Sequence, residues 1–137
     1  MTIGTWNPKP RESERYLLDL KQLRIFTKCI EDGHLQALSH CLSPEQVEAG
    51  QELMQLHKNI WLDQLGEMPD AEMVALVRFF TLAESQLPGW EAGSKSPVIW
   101  LCRLLKKRGL FPDKELITWI KENSQNKFLP YGNPLDL

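Results

Sequence analysis

The chain has 137 residues, 42% hydrophobic and 25% charged, with a formal net charge of −2. That length accommodates one domain with a real core. The balance excludes wholesale disorder, and the near-neutral total excludes a strong polyanion binder acting as a whole. The charge is unevenly placed, however. Residues 33–94 hold nine acidic side chains against two basic ones (Lys58, Arg78), while residues 95–137 hold eight basic against four acidic. Such asymmetry marks either a partner surface or two halves that neutralise each other.

The first ten residues have no apolar core of the signal-peptide kind. No run reaches the ~18–20 apolar residues of a membrane helix, so a cytoplasmic protein with no membrane segment is expected. Two prolines (Pro8, Pro10) make residues 1–12 an extended leader. With Ser13 as its cap, a helix is predicted from about Glu14 to Asp32, carrying Tyr16, Leu17, Leu20, Leu23 and Ile30 at helical spacing and ending at Gly33. A short helix follows, with Leu35, Leu38 and Leu42 on one face. Ser43-Pro44-Glu45-Gln46 is the strongest local signal. The serine hydroxyl accepts from a backbone N–H, proline fits the first helical position and glutamine reaches back. The helix so opened is predicted to run to about Leu65 and stop at Gly66.

Asp70 is the expected cap of a helix over residues 71–86 that is apolar nearly all round and therefore central. Leu87 to Lys95 reads as a loop, with Pro88-Gly89 as its turn signal. Ser96-Pro97 repeats the serine–proline start, opening a helix to about Arg108. Asp113 caps a last helix from Lys114 to about Asn123. Residues 124–137 hold Pro130, Gly132 and Pro134, and Phe128, Leu129 and Tyr131 are too apolar for a solvated tail. The expectation is thus an all-α, single-domain bundle of five to six helices (residues 13–123) with a docked, extended C-terminal segment (124–137).

Cys29, Cys41 and Cys102 are odd in number and form no C-x-x-C, so reduced, buried thiols are expected rather than a disulfide. His34, His40 and Cys41 lie close together but show at most half of a zinc site. His57 lies near an apolar stripe, where a histidine is ordinarily hydrogen-bonded and structural. Glu45, Glu48 and Glu52 read as a solvated helix face. No nucleophile elbow, phosphate loop or H-E-x-x-H occurs. No catalytic, metal or cofactor residue is therefore assigned, and an enzyme would need a site assembled from distant positions.

The sharpest feature is the basic run Arg103, Lys106, Lys107, Arg108. Its first three members share one helical face, next to Trp100 and the Leu87–Trp90 loop. An exposed tryptophan beside cations resembles an interface anchor; alternatively Trp90 and Trp100 pack on each other or under the tail. The preferred reading is a non-enzymatic binding module that recognises a protein partner, or a second copy of itself, through Trp90, Trp100, Arg103, Lys106, Lys107 and Arg108. The alternative is a nucleic-acid-binding domain that uses residues 98–123 like a helix-turn-helix. Against it stand Glu115 and Glu122 on the second helix. The preference of a helix C-terminus for cations also explains part of the basic run.

Overall fold

Helix-start chemistry fixes most element boundaries in the computed structural model, which describes residues 16–111 and 113–133. Among the described residues six α-helices are present: α1 (Leu20–Glu31), α2 (Pro44–Gly50), α3 (Lys58–Gln64), α4 (Asp70–Gln86), α5 (Pro97–Lys107) and α6 (Lys114–Asn123). Among the described residues there is no strand. The fold is all-α, as the helical spacing of its apolar residues requires.

Three starts follow the sequence closely. Ser43 accepts from Gln46 N while the Gln46 side chain accepts from Ser43 N, a complete capping box. Ser96 Oγ accepts from Val98 N at the head of α5. Asp113 accepts from Glu115 N and Leu116 N at the head of α6.

Other boundaries differ, each for a local reason. The first helix begins at Leu20 rather than near Glu14, because Asp19 caps it through Lys21 N and Gln22 N. Ser13 and the leader of residues 1–12 lie outside the described residues. At its other end, Gly33 takes φ +83° and lets His34 N return to Cys29 O, closing the last turn. The expected helix over residues 35–42 is one 3-10 turn, Leu38–His40. The single helix expected from Pro44 to Leu65 is broken into α2, a 3-10 turn (Gln51–Gln55) and α3. Leu56 and His57 are extended, and His57 Nδ1 accepts from Asn59 N to start α3 afresh. Asp70 is the first residue of α4 rather than its cap.

The α4 helix is the hub. It packs on α1 and α5, and α6 leans on it, while α3 covers α5. Its apolar surface builds an aromatic centre in which Phe26 stacks on Phe79 at 4.2 Å and Phe80 meets Trp61 edge-on. Trp90 completes this centre, edge-on to both Phe26 and Phe79.

Two sequence expectations are corrected by this core. Trp90 is completely buried and donates its Nε1–H to Val47 O at 2.8 Å, so it cannot belong to an outward surface. The loop that carries it folds inward because the α2 terminus leaves room only by having Gly50 there. A Cβ on Gly50 would overlap the Trp90 ring. Second, Cys29 and Cys41 are joined as a disulfide, with Cα atoms 6.0 Å apart, rather than standing as two thiols. The turn at Gly33 and the 3-10 turn bring them together across 12 residues of sequence. Only Cys102 is a thiol, and burial pushes it up to about 12, so it carries no thiolate at neutral pH.

Of the C-terminal segment, Leu129 and Pro130 are buried and Phe128 is half-buried against the core. Asn126 Nδ2 donates to both Glu84 and Gly93 O. Residues 134–137 lie outside the described residues. No described helix is long and apolar enough to cross a membrane.

Candidate binding surface

Two elements, α5 and α3, bring the cationic side chains of the candidate surface together. On α5, residues 100, 103 and 107 recur at helical spacing, so Trp100, Arg103 and Lys107 lie along one strip with Lys106 at its edge. The inner side of α5 (Val98, Leu101, Leu105) is spent on the core. Arg103 therefore lies half-buried, with its guanidinium carbon 4.9 Å from the centre of the Trp100 ring. From α3, Lys58 brings its ammonium within 6.0 Å of that ring. A cation stacked on an indole, with a second cation at its edge of reach, is a favourable quadrupole arrangement. It also lowers the hydration that either cation retains.

The hydrogen-bond inventory of this cluster is incomplete. Among the described residues, Trp100 Nε1 and Arg103 Nη2 are both buried without an acceptor. A buried donor with no partner forgoes about 1–3 kcal/mol, so two within one turn of a helix is an expensive arrangement. A third such atom, Trp61 Nε1, lies in the aromatic centre against Phe80.

The six residues expected at the surface therefore divide. Trp100 and Arg103 come together as a stacked pair, and Lys106 and Lys107 are exposed beside them. Among the described residues neither lysine forms an ion pair. Trp90 is inside. Arg108 turns away and saturates itself, donating to Asp70 Oδ1 at 2.6 Å and Gly66 O at 2.8 Å. Part of the acidic–basic asymmetry is thus neutralised within the molecule, through Asp70, and part is not. Sequence reasoning did not place Lys58 in this group. The available signal was its being one of only two cations in the acidic stretch of residues 33–94.

The partner of this picture is Glu84, which sequence reasoning passed over. It follows Val77 and Phe80 along the buried side of α4, a position where a carboxylate must find donors. It finds them: Ser96 Oγ donates at 2.5 Å, Asn126 Nδ2 at 3.0 Å and Ala92 N at 3.1 Å. Burial pushes its carboxyl up, and these hydrogen bonds oppose that rise. An open hollow of about 530 Å³ adjoins it, lined also by Ser85, Glu91, Lys127 and Phe128. The lone pairs of Glu84 are committed to holding the loop, α5 and the tail together, and no histidine or thiol lines the hollow. Glu84 is a structural clasp.

Elsewhere, a smaller apolar hollow of about 280 Å³ lies between α1 and the turn before α4, lined by Leu20, Leu23, Leu65 and Met68. Among the described residues no three His, Cys, Asp or Glu side chains converge as a metal site would require. Comparison with protein-family models, curated proteins and solved structures finds no match.

Proposed function

We propose that this chain is a non-enzymatic binding module that recognises a protein partner, or a second copy of itself, through the face of α5 formed by Trp100, Arg103, Lys106 and Lys107, extended by Lys58 of α3. The observation that carries this reading is a cation–aromatic cluster whose buried donors lack acceptors, flanked by two exposed lysines without ion-pair partners among the described residues. Apolar area and the stacked pair would supply affinity, while Lys106 and Lys107 would steer encounter.

The nucleic-acid reading has weaker support. The two helices it needs do not form a mutually packed pair; α6 leans on α4 instead. Exposed Glu115 and Glu122 would face the phosphates alongside Lys114 and Lys121. As for the compartment, the sequence expectation of a cytoplasmic protein rests on the missing signal-peptide core and membrane run, and reduced thiols would have agreed with it. The Cys29–Cys41 pair removes that agreement and fits an oxidising setting.

The test is amine-reactive cross-linking of the full chain in an extract of its source cells, with peptide mapping. Links should run from Lys106 and Lys107 to a defined polypeptide and vanish in Arg103→Glu, which reverses a charge of the face and keeps both amines. Links that persist in that variant, or that map to other faces, contradict the proposal. Tight, steeply salt-dependent binding of a short DNA or RNA duplex would favour the alternative instead.

A further inference from the structure

We propose that Trp100 and Arg103 together form the seat for a carboxylate supplied by an acidic, partly apolar polypeptide segment. This deepens the reading above and rests on it. The two side chains stand three residues apart on α5, stacked 4.9 Å from guanidinium to ring centre. Each keeps a buried N–H donor without an acceptor among the described residues.

Elsewhere the molecule satisfies one indole and one guanidinium, while Trp61 Nε1 in the aromatic centre is also without an acceptor but has no unpartnered cation beside it. The indole N–H of Trp90 reaches Val47 O, and the guanidinium of Arg108 reaches Asp70 and Gly66 O. The α5 strip is the place where an indole and a guanidinium are left short together. Trp100 is only 5% exposed, so its N–H belongs to an interior that one acceptor would complete.

The chemistry of the missing group follows from the donors. A carboxylate is planar, carries two acceptor oxygens and matches the fork of a guanidinium. Lys58, 6.0 Å from the same ring, adds a second positive charge from a different element. The surroundings then separate a polypeptide from a nucleic acid. Tyr131 in the tail, next to the Gly132 backbone that borders Arg103, is exposed and packs on Phe111 at a ring distance of 6.1 Å. The tail backbone at Gly132 borders Ile99 and Arg103 Nη2 so closely that a Cβ there would stand 3.0 Å from Ile99. Apolar side chains beside a carboxylate seat suit alternating acidic and apolar residues better than a polyphosphate, which carries no apolar groups to place there. The Gly132 backbone is what an incoming oxygen would have to displace to reach Arg103 Nη2.

The experiment uses the full chain with its indoles labelled with nitrogen-15. The Trp100 resonance is assigned from Trp100→Phe. The probe is an eight-residue peptide alternating glutamate and leucine, with glutamine replacing glutamate in the control. Inorganic phosphate at the same concentration forms a third arm. The glutamate peptide should move the Trp100 indole resonance downfield and saturate, the glutamine peptide should not, and Arg103→Gln should weaken binding at least tenfold at unchanged thermal stability. K106Q/K107Q should weaken it less and mainly reduce its salt dependence.

An unmoved Trp100 resonance, whether or not the peptide binds, overturns the seat. So does a shift with phosphate alone equal to that with peptide, which would make this a general anion site. If the peptide binds through Lys106 and Lys107 but is indifferent to Arg103→Gln, the seat falls and the wider binding reading stands. If no cross-linked partner is found while the Trp100 resonance responds as described, the reverse holds.

Discussion

The clasp at Glu84 and the cluster at Trp100 are built from similar materials and finished differently. Each gathers polar groups from separate segments at a buried place. At Glu84 the donors (Ser96, Ala92 and Asn126) meet a carboxylate that accepts from all of them. At Trp100 the donors meet only each other's π-face and a second cation. The first arrangement closes a fold; the second leaves two buried donors without acceptors among the described residues, the observation on which the binding proposal rests. Buried polar networks stabilise only when complete, so the two regions should differ in what they contribute to stability.

The comparison breaks most visibly on the side of the finished region. Trp90 fills the aromatic centre next to the clasp and pairs with Val47 O. Trp90→Ala should cost about 3–5 kcal/mol, read as a large drop in the urea midpoint, whereas Trp100→Phe should cost far less. Equal losses would mean that the two tryptophans are both structural.

Cys29–Cys41 is the next lever. It closes a loop spanning 12 residues, and loop-closure entropy of that length is worth about 3 kcal/mol. Thermal unfolding with and without a reductant should differ by that order. C29S/C41S should match the reduced protein. The helices themselves should survive, because Gln86 holds the same turn by accepting from Leu38 N and donating to Leu35 O. An unchanged melting temperature on reduction would deny the pair any constraining role.

Glu84 is the third. Glu84→Ala strands Ser96 and Asn126 and should cost about 1–3 kcal/mol. The pH dependence has a definite sign. Burial raises the folded-state pKa above the unfolded value, so between the two the native state holds the extra proton. The contribution of Glu84 to stability is then fully present below the unfolded value and lost as pH rises through the folded one. Denaturant midpoints measured from acid to neutral pH should show this decline in the native chain and lose it in Glu84→Gln. A decline of the same size in that variant would assign it to other groups.

The smallest effect compares two arginines. Arg108→Met removes a guanidinium that serves Asp70 and Gly66 O and should cost about 1 kcal/mol. Arg103→Met removes an unpartnered buried donor and should cost nothing measurable or stabilise slightly. Reversal of that order would show that Arg103 is matched in the native molecule.

How much of this was legible beforehand depends on whether the cause is local. Ser43-Pro44, Ser96-Pro97 and Asp113 act within one helical turn, so the starts of α2, α5 and α6 are readable from sequence. The break between α2 and α3 is not. There Leu56 and His57 turn extended and His57 Nδ1 caps α3 afresh, a role that a histidine near an apolar stripe does not announce, and the approach of Gly50 to Trp90, 40 positions away, leaves no periodicity either. The disulfide was hidden by the odd cysteine count, since one buried thiol, Cys102, stands apart. The cationic face was partly legible. Helical spacing placed Arg103, Lys106 and Lys107 together, but Lys58 arrives from another helix and Arg108 leaves to meet Asp70. Glu84 could have been found, because an acid in step with Val77 and Phe80 on a buried helix needs partners.

The most direct measurement is the pair of indole N–H resonances of Trp90 and Trp100 in the unliganded protein, assigned by Trp90→Phe and Trp100→Phe. The account predicts a downfield Trp90 signal with a small temperature coefficient, as a hydrogen bond to Val47 O requires, and an upfield Trp100 signal typical of an indole with no acceptor. A Trp100 resonance as far downfield as that of Trp90 would contradict it, since the donor would then already be matched within the molecule.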